Sequence, residues 1–204
     1  MGYLAVILLS YLVGTSSMTL YLSKLRNINM RAGGSGNLGA SNAVILMGWK
    51  AGILVAIHDI GKSALAVLLA QHFFPELPCI GAFAGVASVM GHIFPFYLKF
   101  RGGKGFASFW GMTVALDWKL GLVLFVAGVA LTILTNYIVV GTVTVTASAP
   151  LYLGITRQDW LLCAIVLFAS AVIWYKHREN FVRIRNGTEI GFRSAAKGEH
   201  KIKK

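Results

Sequence analysis

The sequence predicts an all-α polytopic membrane protein of about seven spanning helices, with the N-terminus outside and the C-terminus in the cytoplasm. Three observations predict it. Of 204 residues, 56% are hydrophobic and only 13% charged, too little polar surface to coat a soluble globule of this size. The apolar residues gather into runs close to the ~20 residues that cross a bilayer core. The Lys and Arg residues lie between those runs and favour one side of the membrane.

In chain order the first run, 3–22, lacks the basic leading region of a signal peptide, and its charges, Lys24, Arg26 and Arg31, follow it. It is expected to stay as an anchor. The second run, 44–70, carries Asp59 and Lys62 inside otherwise apolar sequence. The third is 79–98, and the fourth, 105–117, is short for a crossing unless tilted or packed. Residues 119–155 form one apolar stretch, split by the polar triplet Thr135-Asn136-Tyr137 into spans 119–135 and 137–155. The last span is 160–175, and a basic cytoplasmic tail, 176–204, completes a single domain covering 1–204.

Seven crossings put the two ends on opposite faces, so the cations decide the orientation. With the N-terminus outside, 16 of the 19 fall on the cytoplasmic side, counting Lys50 near the cytoplasmic end of the second run. Lys119 and Arg157 fall outside, and Lys62 lies within a span. The formal net charge of +12 does not point to nucleic acid, because these cations sit between membrane runs and not on a soluble module. Lipid headgroups and small anions are the expected partners. Cys79 and Cys163 stand in separate apolar stretches without metal-ligand spacing and are read as packing residues, so no metal is expected.

Three glycine- or base-rich segments are left on the cytoplasmic face. The first is Arg31-Ala-Gly-Gly-Ser35-Gly36-Asn37-Leu-Gly39-Ala-Ser41-Asn42, opening directly into a span. Glycines let consecutive backbone N–H groups converge on an anion, and the helix start behind them adds a favourable dipole. The same pattern suits a membrane-surface loop with a Ser/Asn helix cap equally well. The second segment, Gly91-His92 through Lys99-Phe-Arg101-Gly102-Gly103-Lys104-Gly105, places three cations around a glycine pair. Lys99 suits a topological anchor, whereas Lys104, enclosed by glycines, suits a phosphate contact. His92, near a span end, reads as a packing residue or a ligand. The third runs from Lys176-His177-Arg178-Glu179-Asn180 to Arg183, Arg185 and Glu189. His177 and Asn180 share a helix face there, and the arginines suit either a ligand or anionic headgroups.

One tempting pattern is set aside. Ala56-Ile-His58-Asp59-Ile-Gly61-Lys62-Ser63 resembles a relaxed phosphate loop with Ala for its first glycine, but it lies inside a long apolar run and follows no strand. Asp59 and Lys62 are three residues apart, and each costs about 2.5–3.5 kcal/mol in a bilayer unless paired or facing a polar interior. They are expected to pair or to line a site wall.

With these segments in place, the chain resembles the bacterial acyl-phosphate:glycerol-3-phosphate acyltransferase family over nearly its whole length. The matching features are Gly34-Ser35-Gly36-Asn37-x-Gly39-Ala40-Ser41-Asn42, Asp59-x-x-Lys62, Gly91-His92-x-x-Pro95 with Arg101-Gly102-Gly103-Lys104-Gly105, and His177-Arg178-x-Asn180 with Gly187-x-Glu189. The resemblance implies a multi-pass enzyme of the bacterial inner membrane with its site on the cytoplasmic side. It implies acyl transfer from acyl phosphate to the 1-hydroxyl of sn-glycerol 3-phosphate, giving lysophosphatidic acid and phosphate, with no cofactor.

It also implies residue roles. His177, Asn180 and Lys104 are implied as catalytic. Ser35, Gly36, Asn37, Gly39, Asn42, Arg101, Gly102 and Gly103 are implied as phosphate-binding, and Asp59, Lys62, His92 and Glu189 as supporting. An acyl phosphate is already activated, so such an enzyme needs orientation and phosphate cradles more than a covalent nucleophile. Four positions depart from the family pattern: Ser41 for Thr, Ile45 for Arg, Asn136 for a basic residue and Ser63 for Gly. Two alternatives are a diverged member with another acceptor or a regulatory role, and an organic-anion transporter suggested by intramembrane Asp59 and Lys62. No pattern fixes the oligomeric state.

Overall fold

The computed structural model describes residues 1–197, so the end of the expected tail, 198–204, lies outside the described residues. The fold is all-α. In chain order the helices are α1 (Gly2–Thr15), α2 (Met18–Leu25), α3 (Ala40–Met47), α4 (Trp49–Phe73), α5 (Ile80–Ile93), α6 (Phe106–Leu116), α7 (Trp118–Thr135), α8 (Ile138–Arg157), α9 (Trp160–Arg185) and α10 (Phe192–Lys197). A 3-10 turn, Phe96–Leu98, follows α5.

Among the described residues, six segments are long and apolar enough to cross a membrane: Gly2–Leu25, Trp49–Phe73, Ile80–Leu98, Trp118–Thr135, Ile138–Arg157 and Trp160–Arg185. The expected fourth span is the shorter α6, whose 11 residues rise about 16 Å against a core of ~30 Å. The polar triplet does end α7. Asn136 turns left-handed there (φ 66°), and α8 begins two residues later. Residues 176–185 are not loose tail; they continue α9.

Two expected spans are broken, for identifiable reasons. The run 3–22 divides at Ser16-Ser17. Thr15 and Ser16 bond back to Leu12 and Val13 carbonyls, Tyr97 donates to the Thr15 carbonyl, and Lys62 donates to the Ser16 carbonyl at 2.7 Å. Ser17 then caps α2. The run 44–70 divides at Gly48, whose φ of 86° only glycine adopts without strain, and α3 reaches back to Ala40.

Small residues let the helices cross closely, as membrane bundles require. A Cβ on Gly14 would strike the Ser88 backbone, which brings α1 onto α5, and one on Gly111 would strike the Ile60 backbone, which brings α6 onto α4. The largest buried cluster joins Val89, Ile93, Phe109, Met112, Val145, Leu153, Val166 and Ile173 from four helices, α5, α6, α8 and α9. Leu8, Ile57, Leu65, Val126, Leu134 and Phe168 are exposed on the outer surface, the arrangement expected when the solvent is lipid. Cys163 is buried as expected. Cys79 does more than pack: half-buried and left-handed at the start of α5, it donates through Sγ to Asp159 Oδ2 at 3.1 Å, and Asp159 in turn caps α9.

Candidate active site

A cavity of about 510 Å³ opens at one end of the bundle. Its walls come from the glycine loop and α3, the first half of α4, the start of α6, the start of α8, the end of α9, and the segment that runs from Thr188 into α10. All three glycine- or base-rich segments therefore contribute to one space.

The glycine loop does not present an open nest of N–H groups. Its donors turn inward: Ser35 N donates to Asn42 Oδ1 at 2.9 Å, Gly36 N to the Gly33 carbonyl at 3.0 Å, and Gly39 N to Asn37 Oδ1 at 2.8 Å. Asn42, fully buried, also donates to the Met30 and Asn37 carbonyls at 2.9 and 2.8 Å. It holds the loop from behind and does not line the cavity; nor does Gly36. Ser35, Asn37, Gly39 and Ser41 do line it.

Across the cavity, α9 presents His177, Asn180 and Arg183 one turn apart. His177 Nδ1 lies 2.8 Å from the Ile173 carbonyl. A carbonyl only accepts, so Nδ1 carries a proton, and in the neutral ring Nε2 keeps its lone pair. Lys104 Nζ donates to Asn180 Oδ1. Asn180 Nδ2 and Arg183 Nε each donate, at 2.5 Å, to one oxygen of Glu189. A continuous line of four side chains, Lys104–Asn180–Glu189–Arg183, thus runs along this wall. Burial, and then the nearby Arg183 guanidinium, push the Lys104 ammonium down to about 8.

The remaining expected residues fall in two groups. Asp59 and His92 reach the cavity wall, and Lys62 lies just behind them. Asp59 Oδ1 is 2.8 Å from Lys62 Nζ and 3.4 Å from the Nδ1 atoms of His58 and His92. Asp59 and Lys62 are therefore paired, as their spacing suggests. Gly102 and Gly103 stand off the cavity: their N–H groups donate to the Ile93 and His92 carbonyls, and a Cβ on Gly103 would strike the His92 ring. Arg101 is exposed and also off the cavity, its carbonyl accepting from Arg31.

Sequence reasoning left Arg183 undecided between ligand and headgroup contact, and it overlooked Thr142 and Thr188, which also line the cavity. The spacing His177–Asn180–Arg183 was the available signal for Arg183. At the departures, Ile45 is a buried apolar part of the wall, and Ser63 shares a hydrogen bond with Ser88 at 2.8 Å. Asn136 docks the C-terminal segment: its carbonyl accepts from Phe192 N at 2.7 Å and its Oδ1 from Arg193 N at 2.9 Å.

An apolar helical bundle around a cavity lined by cations, amides and an imidazole fits a membrane-embedded transferase for anionic substrates. The family profile for glycerol-3-phosphate acyltransferase matches residues 4–187, and the chain belongs to that family. It is 38% identical to glycerol-3-phosphate acyltransferase 1 of Deinococcus radiodurans over 187 residues, 91% of this chain and 93% of the relative. It is 35% identical to the glycerol-3-phosphate acyltransferase of Coxiella burnetii (strain RSA 493 / Nine Mile phase I) over 190 residues, 93% of this chain and 97% of the relative. Among solved structures it is similar to crystal structures of PlsY (YgiH), an integral membrane glycerol 3-phosphate acyltransferase. The glycerol 3-phosphate form gives a TM-score of 0.89 at 31% identity, covering 95% of this chain and 97% of that one. The lysophosphatidic acid form gives 0.86 at 30%, covering 96% and 98%. The chain is an acyl-phosphate-dependent enzyme of this type, forming lysophosphatidic acid from glycerol 3-phosphate.

Proposed function

We propose that the reaction takes place in the cavity between the glycine loop and α9, with Lys104 and Arg183 as its phosphate-binding cations. The carrying observation is the Lys104–Asn180–Glu189–Arg183 line beside His177 Nε2. Those two are the only Lys or Arg side chains on the cavity wall among the described residues. They neutralise phosphate charge, while Ser35 and Asn37 supply hydrogen bonds from the facing wall. His177 Nε2 accepts a hydrogen bond from the 1-hydroxyl of glycerol 3-phosphate and, with Asn180, orients it toward the acyl carbon.

The hydroxyl oxygen bonds to that carbon as its bond to the bridging phosphate oxygen breaks. The hydroxyl proton passes to an oxygen of the phosphate released, so the products are the ester and hydrogen phosphate. A mixed anhydride leaves readily enough that positioning and charge neutralisation carry the step. Purified protein given acyl phosphate and labelled glycerol 3-phosphate should release phosphate and form lysophosphatidate one for one; phosphate release without ester would refute the acceptor assignment.

The orientation belongs to the same proposal. The cation distribution supports seven crossings of a bacterial inner membrane, α6 counted among them, with the N-terminus outside and the cavity on the cytoplasmic side. The chain is one domain in this reading, acting on small anions and lipid and not on nucleic acid. Cysteines introduced at Gly34 and Asn186 should resist an impermeant reagent added to intact cells, and one at Gln158 should react. Outside labelling at Asn186 would reverse the orientation.

A further inference from the structure

The most costly side chains in the bundle are not among those just assigned to substrate. Asp59, Lys62 and His92 are each less than a tenth exposed, and they lock three helices together. Lys62 Nζ contacts Asp59 Oδ1 on its own helix, the Ser16 carbonyl at the α1–α2 break at 2.7 Å, and His92 Nδ1 on α5 at 3.0 Å. An ammonium has no lone pair, so His92 Nδ1 accepts and the ring proton sits on Nε2. His58, next to Asp59, closes the cluster by approaching Ser16 Oγ at 3.3 Å.

The Nε2 edge of His92 is the part of the ring that a Cβ on Gly103 would strike first. The backbone says the same: Gly103 N donates to the His92 carbonyl at 3.2 Å and Gly102 N to the Ile93 carbonyl at 2.9 Å. The glycine pair is folded down onto His92, and Lys104 is the next residue along.

We propose that the buried Asp59–Lys62–His92 cluster is a positioning device for Lys104: it pins the His92 imidazole as the floor beneath Gly102-Gly103 and so aims the lysine across the cavity at Asn180. Glycine is required at 103 because the imidazole occupies the space of a side chain. The charges are placed in the bilayer to fix that ring, not to contact substrate. The inference rests on the reading that Lys104 holds a substrate phosphate.

The test removes both charges at once, so that neither is left buried and unpaired, as Asp59→Asn with Lys62→Met in the full-length protein in detergent micelles. The Michaelis constant for acyl phosphate should rise about tenfold, as expected for loss of one coupling between contacting groups, while kcat stays within about twofold. Lys104 titrates near 8 because it is held in a buried place beside Arg183. In the pair variant the pH at which donor binding weakens should therefore move upward, a change that simple destabilisation does not produce. Lys62→Arg, which still reaches both oxygens, should restore most of the affinity.

In a Lys104→Ala background the pair variant should cost nothing further. A folded pair variant with wild-type Michaelis constant and pH profile, or an additive loss in that background, overturns the proposal. Where the pair variant does not fold, His92→Asn serves: it keeps an acceptor for Lys62 but removes the ring edge under Gly103, and an unchanged Michaelis constant is equally fatal. If Lys104→Ala by itself leaves donor affinity unaltered, the assignment of Lys104 fails first, and that outcome is distinct from failure of the cluster to position it.

Discussion

The two walls of the cavity are built on opposite plans. The glycine-loop wall spends its polar groups on itself: Asn42 ties Ser35, Met30 and Asn37 together, and Ile45 adds an aliphatic surface. The α6–α9 wall carries the charge, with Lys104 and Arg183 joined through Asn180 and Glu189. One wall is rigid and nearly neutral; the other is cationic and held by side chains alone. Shape and charge are therefore separable here, and substitutions can address them one at a time.

The largest effect should come from the charged wall. Lys104→Ala removes a charge-assisted phosphate contact of about 1.5–3 kcal/mol, a loss of roughly 10–150-fold in kcat/KM, with little change in thermal stability. Steady-state kinetics and a melting curve on one preparation check both halves. Asn42→Ala should behave in the opposite way. It leaves the Ser35 N–H and two carbonyls without partners, so melting temperature falls, and the loss of activity follows loop disorder with both Michaelis constants rising together. Normal stability in Asn42→Ala would show that the loop does not depend on this residue.

The pH dependence sharpens the contrast next. Lys104 has its ammonium pushed down to about 8 by burial and Arg183, so donor affinity should be steady below that value and fall as pH rises through it. Stability should run the other way. The folded protein gives up this proton before the unfolded chain does, so folding gains between about 8 and the ordinary lysine range. Binding assays and melting curves from pH 6 to 10 separate the two trends. Parallel trends would disprove the assignment.

The smallest effect should come from placing charge on the neutral wall. Ile45→Arg offers a second set of donors from α3 and should lower the Michaelis constant for glycerol 3-phosphate by severalfold, more than that for acyl phosphate. If it only impairs the enzyme, the wall is shaped around the isoleucine and Arg183 already supplies the charge that is needed.

Much of the scaffold was legible because bilayer solvation is strict. Long apolar runs had to become helices, and the polar triplet at Asn136 had to be a turn. The breaks at Ser16 and Gly48 were not legible in the same way. The first is held by Lys62 and Tyr97, 46 and 82 residues from their acceptors, and no local pattern encodes such a partner. In the site, Ser35, Lys104, His177 and Asn180 were readable from chemistry and spacing, and they converge. Asn42, Gly102 and Gly103 look like ligands in sequence for the same reason that they build the loops: amides and glycines serve backbone turns as readily as anions. Arg183 was obscured by its basic neighbours, since a run of arginines at a membrane surface reads first as headgroup binding.

The docking of the C-terminal segment on Asn136 has a consequence for truncation. Helices α1 to α9 all precede residue 186 in the chain, but Glu189, Ile190, Phe192 and Ala195 belong to the cavity wall. Phe192 must also cross back to reach the α7–α8 turn before that wall is complete. A chain cut after residue 185 would therefore carry all six long apolar segments and still lack one side of the cavity wall.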